Sequence, residues 1–556
     1  MRITFLFAFV LSAVSAHAGN LSEDVMGTLY GMKGVYSAQY APAGWKKKYA
    51  NYDLNEQFTK DLALVQNDKS FTMEAARSVF KDFVYSMRDY HTSISFISTE
   101  SASLPFAVKS ADDRFFIVYI DRNKLPASSF PFQIGDELAT FDGQTTKDAV
   151  AAIQNEFIEN VPATDKAMAE IYLTRRSYAR GLRVPHGPIM VGIKHQGSDK
   201  IVNQELIWDY SPEQIAPRSP SLAFAQGDDG LDKPRPASIF HPIMSVVREK
   251  IETPYDLGAR KTFTPDLGVK LWESGDDSEF YAYTFMTPER KIIGFVRIPE
   301  YMANDFDKAV SDFAKIIQRF QSTTDAMVID QVNNPGGSVY YLYTLASMLT
   351  DQPLHTPLHR MSITQKDVLN ALTSKLLWQK VTNDQQAKAT AALEGGADGY
   401  PVDYEFARFS LAYSNFIIQQ WNEGKTLTEP YWIGGVNQIN PAPVHYTKPI
   451  LVLTNHLDFS GGDFFPATLQ DNNRIKILGS RTAGAGGYVL DQQFSNNVGV
   501  ASFRVTGSIA ERLDGNPIEN LGVTPNYIYE FSADDYTGNY ISYVKAIKSA
   551  LADMMK

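Results

Sequence analysis

Apolar residues recur along this chain with two periods, and the change of period divides it. From residue 19 to about 101 the spacing is helical. Phe71–Tyr90 carries Met73, Ala76, Val79, Phe80, Phe83, Val84 and Met87 three or four apart, which predicts an amphipathic helix. The stretch ends at Arg88-Asp89-Tyr90-His91-Thr92, and Thr92–Phe96 then alternates as a strand does. His91 therefore sits at a helix-to-strand junction. Between 102 and 215 short strands take over. Phe115–Ile120 and Ile189–Ile193 are apolar runs, and Asp142-Gly143 is a hairpin dipeptide ahead of a helical segment, Thr146–Ile158. Residues 216–262 lose the pattern. Gly227–Gly230 and Asp232–Pro236 are polar and rich in turn formers, which predicts an exposed linker around a short apolar patch, Ile239–Met244. From 263 to 556 strands and helices alternate, so an α/β core is expected. Its strands include Lys291–Ile298, Ala326–Asp330 and Pro449–Leu453, its helices Phe306–Phe320 and Val339–Leu349. A helical insertion at about 365–425, broken by glycines near Gly395, carries no assignable role.

The chemistry concentrates between Lys448 and Val489. The run Pro449–Leu453 reads as a strand buried on both faces. It turns through Asn455–Asp458 into Phe459-Ser460-Gly461-Gly462-Asp463, and a helical segment follows. A serine between a buried strand and a helix N-terminus is placed as a nucleophile: the turn exposes its hydroxyl, and unpaired N–H groups face the same side. The plainer reading makes Ser460 a helix cap with Asp463 closing a capping box. Ser-Gly-Gly-Asp by itself favours that reading.

Composition narrows the classes. The 556 residues exceed one ordinary domain. A formal net charge of −11 argues against nucleic-acid binding. No cysteine is present, so disulfides, thiol nucleophiles and thiolate metal sites are excluded. Met1–Ala18 has a basic start, an apolar middle and Ala16-His17-Ala18 at its end, which predicts a signal peptide and export to the periplasm or beyond. No later apolar run is long enough for stable membrane insertion. His355 and His359 have helical ligand spacing, but Pro357 spoils the helix, so neither a metal nor a cofactor is assigned.

Strand, Ser-small-small-acid, helix, strand and Gly-rich loop together resemble the nucleophile region of the tail-specific, or C-terminal processing, serine proteases. Gln331–Ser338, with Asn334-Pro335-Gly336-Gly337, resembles a loop of the same clan, although valine stands at 332 where arginine is usual. Ile134–Gly143 resembles the Gly-Asp-x-Leu…Asp-Gly hairpin of PDZ domains, modules that offer a sheet edge to extended peptides. The position near Ser103–Phe106 that would bind a peptide carboxylate holds Pro105 and no glycine.

Many tail-specific proteases use a lysine base after the second strand. Here that segment, Thr482–Gly487, has none. The chlamydial protease-like activity factors use histidine and glutamate instead, and two segments resemble theirs: Asp89-Tyr90-His91, and Gly515–Pro525 around Glu519. The resemblance implies a ClpP/crotonase-like α/β peptidase core behind a helical N-terminal region that carries the base and a PDZ-like domain. It implies Ser460 as nucleophile, His91 as base and Glu519 as the acceptor that orients the histidine. It also implies an oxyanion hole from the N–H of Gly461 and one from Gly336 or Gly337, and self-cleavage within 216–262. An unperturbed His91 would titrate at about 6.5. His456 stands as an alternative base and Glu511 as an alternative acid. Protein or peptide substrates are the expected partners, with a homodimer compatible. The competing class is a non-catalytic binding protein on the same fold.

Overall fold

The computed structural model describes residues 21–214 and 253–556, apart from Lys69 and Ile158. The Met1–Ala18 leader and most of the 216–262 segment, with its Ile239–Met244 patch, lie outside the described residues.

Four helices open the described chain: α1 (Leu21–Gln39), α2 (Ala43–Ala50), α3 (Leu54–Asn67) and α4 (Met73–Tyr85). Asp53 and Thr72 cap α3 and α4 by accepting from backbone N–H groups one turn in. The periodic face of α4 is buried as its spacing requires, with Phe80, Phe83 and Val84 fully enclosed. The helix ends at Tyr85, before the periodic stretch does. Arg88 adopts φ +50° and reverses the chain, and β1 (Ser93–Phe96) follows.

The next module is a sheet of β2 (Phe106–Ala111), β3 (Arg114–Ile120), β4 (Glu137–Phe141), β5 (Pro188–Lys194) and β6 (Ile201–Ile207), with helices α5 (Thr146–Gln154) and α6 (Pro162–Thr174). Strand β2 is the sheet edge beside α6, where a PDZ module would add a peptide strand. A side chain is already there. Glu170 of α6, almost fully buried, accepts from the Ser110 N–H at 3.1 Å and from its hydroxyl, with the Lys109 ammonium 3.4 Å away.

The core is a seven-stranded sheet. In chain order its elements are β7 (Lys270–Glu273), β8 (Ala282–Met286), β9 (Ile292–Arg297), α7 (Phe306–Thr323), β10 (Ala326–Asp330) and α8 (Val339–Ser347). The insertion follows as α9 (Gln365–Trp378), α10 (Asp384–Leu393) and α11 (Tyr404–Asn422). Then come β11 (Ile450–Thr454), α12 (Gly461–Asp471), β12 (Lys476–Gly479), β13 (Val489–Gln492), β14 (Val500–Thr506), β15 (Tyr527–Ile528) and α13 (Ile541–Met554). The sheet order is β7-β8-β9-β10-β11-β12-β15, parallel from β9 onward. Every residue of β10 and β11 is buried, because helices cover both faces. Phe313, Ile317 and Phe320 of α7 close one face, and Tyr543, Ile547 and Leu551 of α13 the other. Strand β1 pairs antiparallel with β14, Ser93 opposite Arg504, and so ties the N-terminal helices to the C-terminal part of the core. None of the described helices is long and apolar enough to cross a membrane.

A glycine inside a central strand marks close approach of another element. A Cβ on Gly294 of β9 would lie 2.6 Å from the Phe320 ring of α7. Gly294→Ala is therefore expected to cost about 1–3 kcal/mol by overpacking. A lowered urea midpoint at unchanged slope would show it, and an unchanged midpoint would contradict this packing.

Candidate active site

Two loops leave the C-terminal ends of neighbouring parallel strands and are laced together. From β10, Gln331–Ser338 folds around the Asn334 side chain, whose oxygen accepts the Gly336 N–H at 2.8 Å and whose amide donates to the Ile298 carbonyl at 3.0 Å. From β11, the turn Asn455–Phe459 folds around Asp458, which accepts from the Asn455 and Asn334 N–H groups, each at 3.0 Å. The Phe459 N–H donates back to the Asn334 carbonyl at 2.8 Å. Val332, where the resemblance led one to look for arginine, lies in the apolar layer beneath. The buried cation of this loop is Arg297 of β9, 3.6 Å from Asp330.

Ser460 ends the turn at φ +55°, ψ −113°, directly before α12. A non-glycine residue held there stores strain of order 1–3 kcal/mol. The serine caps nothing: its side chain makes no hydrogen bond to the helix N-terminus. Asp463 closes no capping box either. Its buried carboxylate points the other way and accepts from the Thr482 hydroxyl at 2.5 Å and the Gly484 and Ala485 N–H groups at 2.8 and 3.0 Å. Helix α12 thereby holds the Gly-rich loop. Burial pushes the Asp463 carboxyl up to about 7, against these donors.

The backbone N–H groups of the two glycine-bearing loops differ in what they donate to. The Gly336 N–H is taken by Asn334. The N–H groups of Gly337 and Gly461 donate to nothing among the described residues. The two loops also lie close together: a Cβ on Gly461 would lie 3.2 Å from the Gly337 nitrogen, and one on Gly336 would lie 2.6 Å from both the Gly461 nitrogen and the Ser460 Cβ. Gly336 is thus required for the close approach rather than as a donor.

His91 arrives from the N-terminal region. Asp89 holds its turn, accepting from the His91 N–H at 2.8 Å, the Thr506 hydroxyl at 2.8 Å and the Tyr40 hydroxyl at 3.1 Å. The neighbouring Tyr90 ring meets Phe459 edge-on at 5.4 Å, bringing the residues that precede His91 and Ser460 into contact. The imidazole is fully buried, and neither ring nitrogen has a partner among the described residues. Burial pushes its pKa down to about 4; Asp89 opposes that, while Arg504 and Lys46 add to it.

Glu519 lies in the same neighbourhood but does not accept from His91, as the resemblance implied. One carboxylate oxygen is paired with the Lys46 ammonium and the other accepts the Gly486 N–H at 2.9 Å. A carboxylate removed from water takes the cation and the donors that reach it, since charge-assisted bonds are the strong ones. Burial, with Asp89 adding, pushes Glu519 up to about 8, against Lys46 and the Gly486 N–H. No hydrogen bond joins His91 to Ser460 either, among the described residues. His456 instead faces Glu530 at 3.3 Å, and Glu511 pairs with Arg360 at 2.8 Å. His355 and His359 sit on short strands, with His359 stacked on Phe464. Lys46, Asp89 and the true role of Asp463 were missed by pattern reading. The only cue for Asp89 was its place two residues before His91.

Comparison with known proteins fits this geometry. Residues 100–215 match the model of the PDZ domain, and residues 292–529 that of peptidase family S41. An uncharacterised protein of Chlamydia muridarum is 34% identical over 100% of this chain and 97% of its own length. A protein of Chlamydia trachomatis is 34% identical over 94% of this chain and 91% of its own length. Mature CPAF complexed with lactacystin superposes with a TM-score of 0.83 at 32% identity, covering 96% of this chain and 99% of that one. A PDZ domain, an α/β core with a strained serine beside two free amides, and likeness along nearly the whole length to mature CPAF place this chain in peptidase family S41.

Proposed function

We propose that this chain is an exported serine endopeptidase in which Ser460 attacks the scissile carbonyl and His91 is the base. His91 takes the hydroxyl proton and later gives it to the leaving amine, while the Gly337 and Gly461 N–H groups hold the oxyanion. The observation that carries this reading is Ser460 at φ +55° with two undonated amides, of Gly337 and Gly461, close by. Oxyanion donors of this kind are worth about 3–4 kcal/mol each in the transition state. The unpartnered neutral imidazole supports the base, because its lowered pKa leaves it free to accept at neutral pH. Glu519 is the third member in this proposal. Paired as it is with Lys46, it acts on the base through that lysine, which is among the charges that bear on His91, rather than by direct contact. Export rests on the Met1–Ala18 pattern alone. The unjoined Ser460 and His91 favour one other reading, a peptide-binding protein on the same scaffold.

A fluorophosphonate probe separates the two, since only an activated serine reacts. Wild type is expected to be labelled and Ser460→Ala not; an unlabelled wild type would favour the binding protein. Ser460→Ala and His91→Ala should each lower kcat on casein by several orders of magnitude, and the double variant should be little worse than either. Glu519→Gln should lose less than either. A folded His91→Ala that cleaves at the wild-type rate ends the proposal.

The pH dependence follows from burial. Protonated His91 cannot accept, so kcat/KM falls as pH drops through its pKa. That fall is expected toward pH 4, where burial places the group, rather than near its ordinary value. A limb centred at about 6.5 would show the ring to be hydrated in the working enzyme.

Gly336→Ala should leave a folded protein with at least tenfold weaker probe labelling, because its Cβ would displace Ser460 and Gly461. Labelling at the wild-type rate would refute the close packing of these two loops.

The 216–262 segment is proposed as a site of self-processing. Its polar, Pro- and Gly-rich composition supports this. Mass spectrometry is expected to find wild type nicked there and Ser460→Ala intact; equal nicking of both, or of neither, rules it out.

A further inference from the structure

Lys46 is a fully buried lysine whose ammonium joins two segments of the site. It donates to the Arg88 carbonyl at 2.7 Å and to the Asn520 side-chain oxygen at 2.7 Å, and it pairs with Glu519. All three donor positions of the ammonium are filled. Arg88 belongs to the turn that carries His91, and Asn520 and Glu519 to the turn that follows the strand Ser508–Glu511. The Asn520 amide closes the same figure, donating to the Arg88 carbonyl at 2.8 Å and to Asn160 at 2.7 Å. The Trp45 indole donates to the Asn520 oxygen at 2.9 Å. The neighbouring Lys47 and Lys48 are exposed and have no part in this.

We propose that Lys46 is a positioning residue of the hydrolytic site: it ties the His91 turn to the Glu519 turn and thereby fixes the base relative to Ser460. The inference rests on the reading of Ser460 and His91 as nucleophile and base. The charged groups facing His91 are Asp89 from its own turn, Arg504 from β14 and Lys46 from α2; Glu519 faces Lys46. Removing the ammonium therefore does two separable things. It loosens the join between the two turns, which then keep only the Asn520 amide on the Arg88 carbonyl, and it removes one of the two cations that disfavour imidazolium.

The test uses the full chain, labelled casein and a thermal melt for every variant. Lys46→Met is expected to lower kcat at least a hundredfold with KM within about threefold, since the loss is of orientation rather than of substrate contact. Its acidic limb of kcat/KM should move up, by roughly half a pH unit or more, because a cation beside His91 is gone. Lys46→Arg keeps the charge and several donors but cannot act as a base, and it should stay within tenfold of wild type. Lys46→Met alone leaves the Glu519 charge buried and unpaired, so it risks not folding. Lys46→Met/Glu519→Gln removes that charge, and it should lie at least tenfold below Glu519→Gln alone because the tie to Arg88 is lost.

Two outcomes overturn the inference while leaving the serine and histidine roles intact. One is a double variant as active as Glu519→Gln, which would reduce Lys46 to a counterion. The other is a folded Lys46→Arg as dead as Lys46→Met, which would show that a cation with donors at this place does not position the base. Full activity in Ser460→Ala or His91→Ala would instead remove the reading beneath it.

Discussion

The Asp458 carboxylate is the constraint on which the site depends. It is fully buried and it accepts N–H groups from both strand-end loops, Asn334 on one and Asn455 on the other. Each loop alone would be a short polar excursion at the edge of a parallel sheet. Joined through Asp458, they fix the strained φ of Ser460 and the approach of Gly336 to it, and they leave the Gly337 and Gly461 amides undonated. Burial pushes the Asp458 carboxyl well up, and the two amide donors oppose that by favouring the carboxylate. A buried polar network of this kind is worth having only if every member is satisfied. Here the Gly337 and Gly461 amides are left without an acceptor among the described residues.

The same contrast runs through the ionisable side chains around it. Asp463, Asp89, Glu519, Lys46 and Arg297 are all buried, and each has at least two polar partners. His91 is equally buried, and its ring has none among the described residues. Leaving a buried imidazole unpaired costs stability that a purely structural histidine would have no reason to forgo. Strain at Ser460 and an orphaned ring at His91 are two local costs in one neighbourhood.

What was legible in the sequence was local. A buried strand running into Ser-Gly-Gly, and a second running into Asn-Pro-Gly-Gly, are short-range patterns whose geometry follows from strand burial and glycine freedom. The position of His91 at a helix-to-strand junction was readable for the same reason. Partner choice was not. Lys46 stands in Trp45-Lys46-Lys47-Lys48, a run that reads as a solvated face, and its partner Glu519 is 473 positions away. Helix α2 turns only one of those three lysines inward, and nothing within the run says which. Asp463 misled in the opposite way. Its spacing from Ser460 suits a capping box, but a strained φ at the cap swings the serine off the helix and leaves the acid to the Gly-rich loop.

The proposed base and the proposed nucleophile, His91 and Ser460, come from distant parts of the described chain, and this shapes how the site is made. Strand β1, two residues after His91, has its only ladder partner in β14, with Ile94 opposite Phe503. The apolar cluster under α4 is completed by Val498, Val500, Phe503 and Val505 from the same C-terminal hairpin. The strands of the core sheet are built from residues after 263, but its loops draw on earlier ones: the Gly258 N–H donates to the Asn333 carbonyl at 3.0 Å, and the Tyr90 ring meets Phe459. The N-terminal helices dock on the C-terminal hairpin, and that docking carries the His91 turn. Contacts so distant in sequence carry a loop-closure cost that local pairings avoid. Under the proposed roles, the base reaches the serine only once both parts of the chain have folded onto each other.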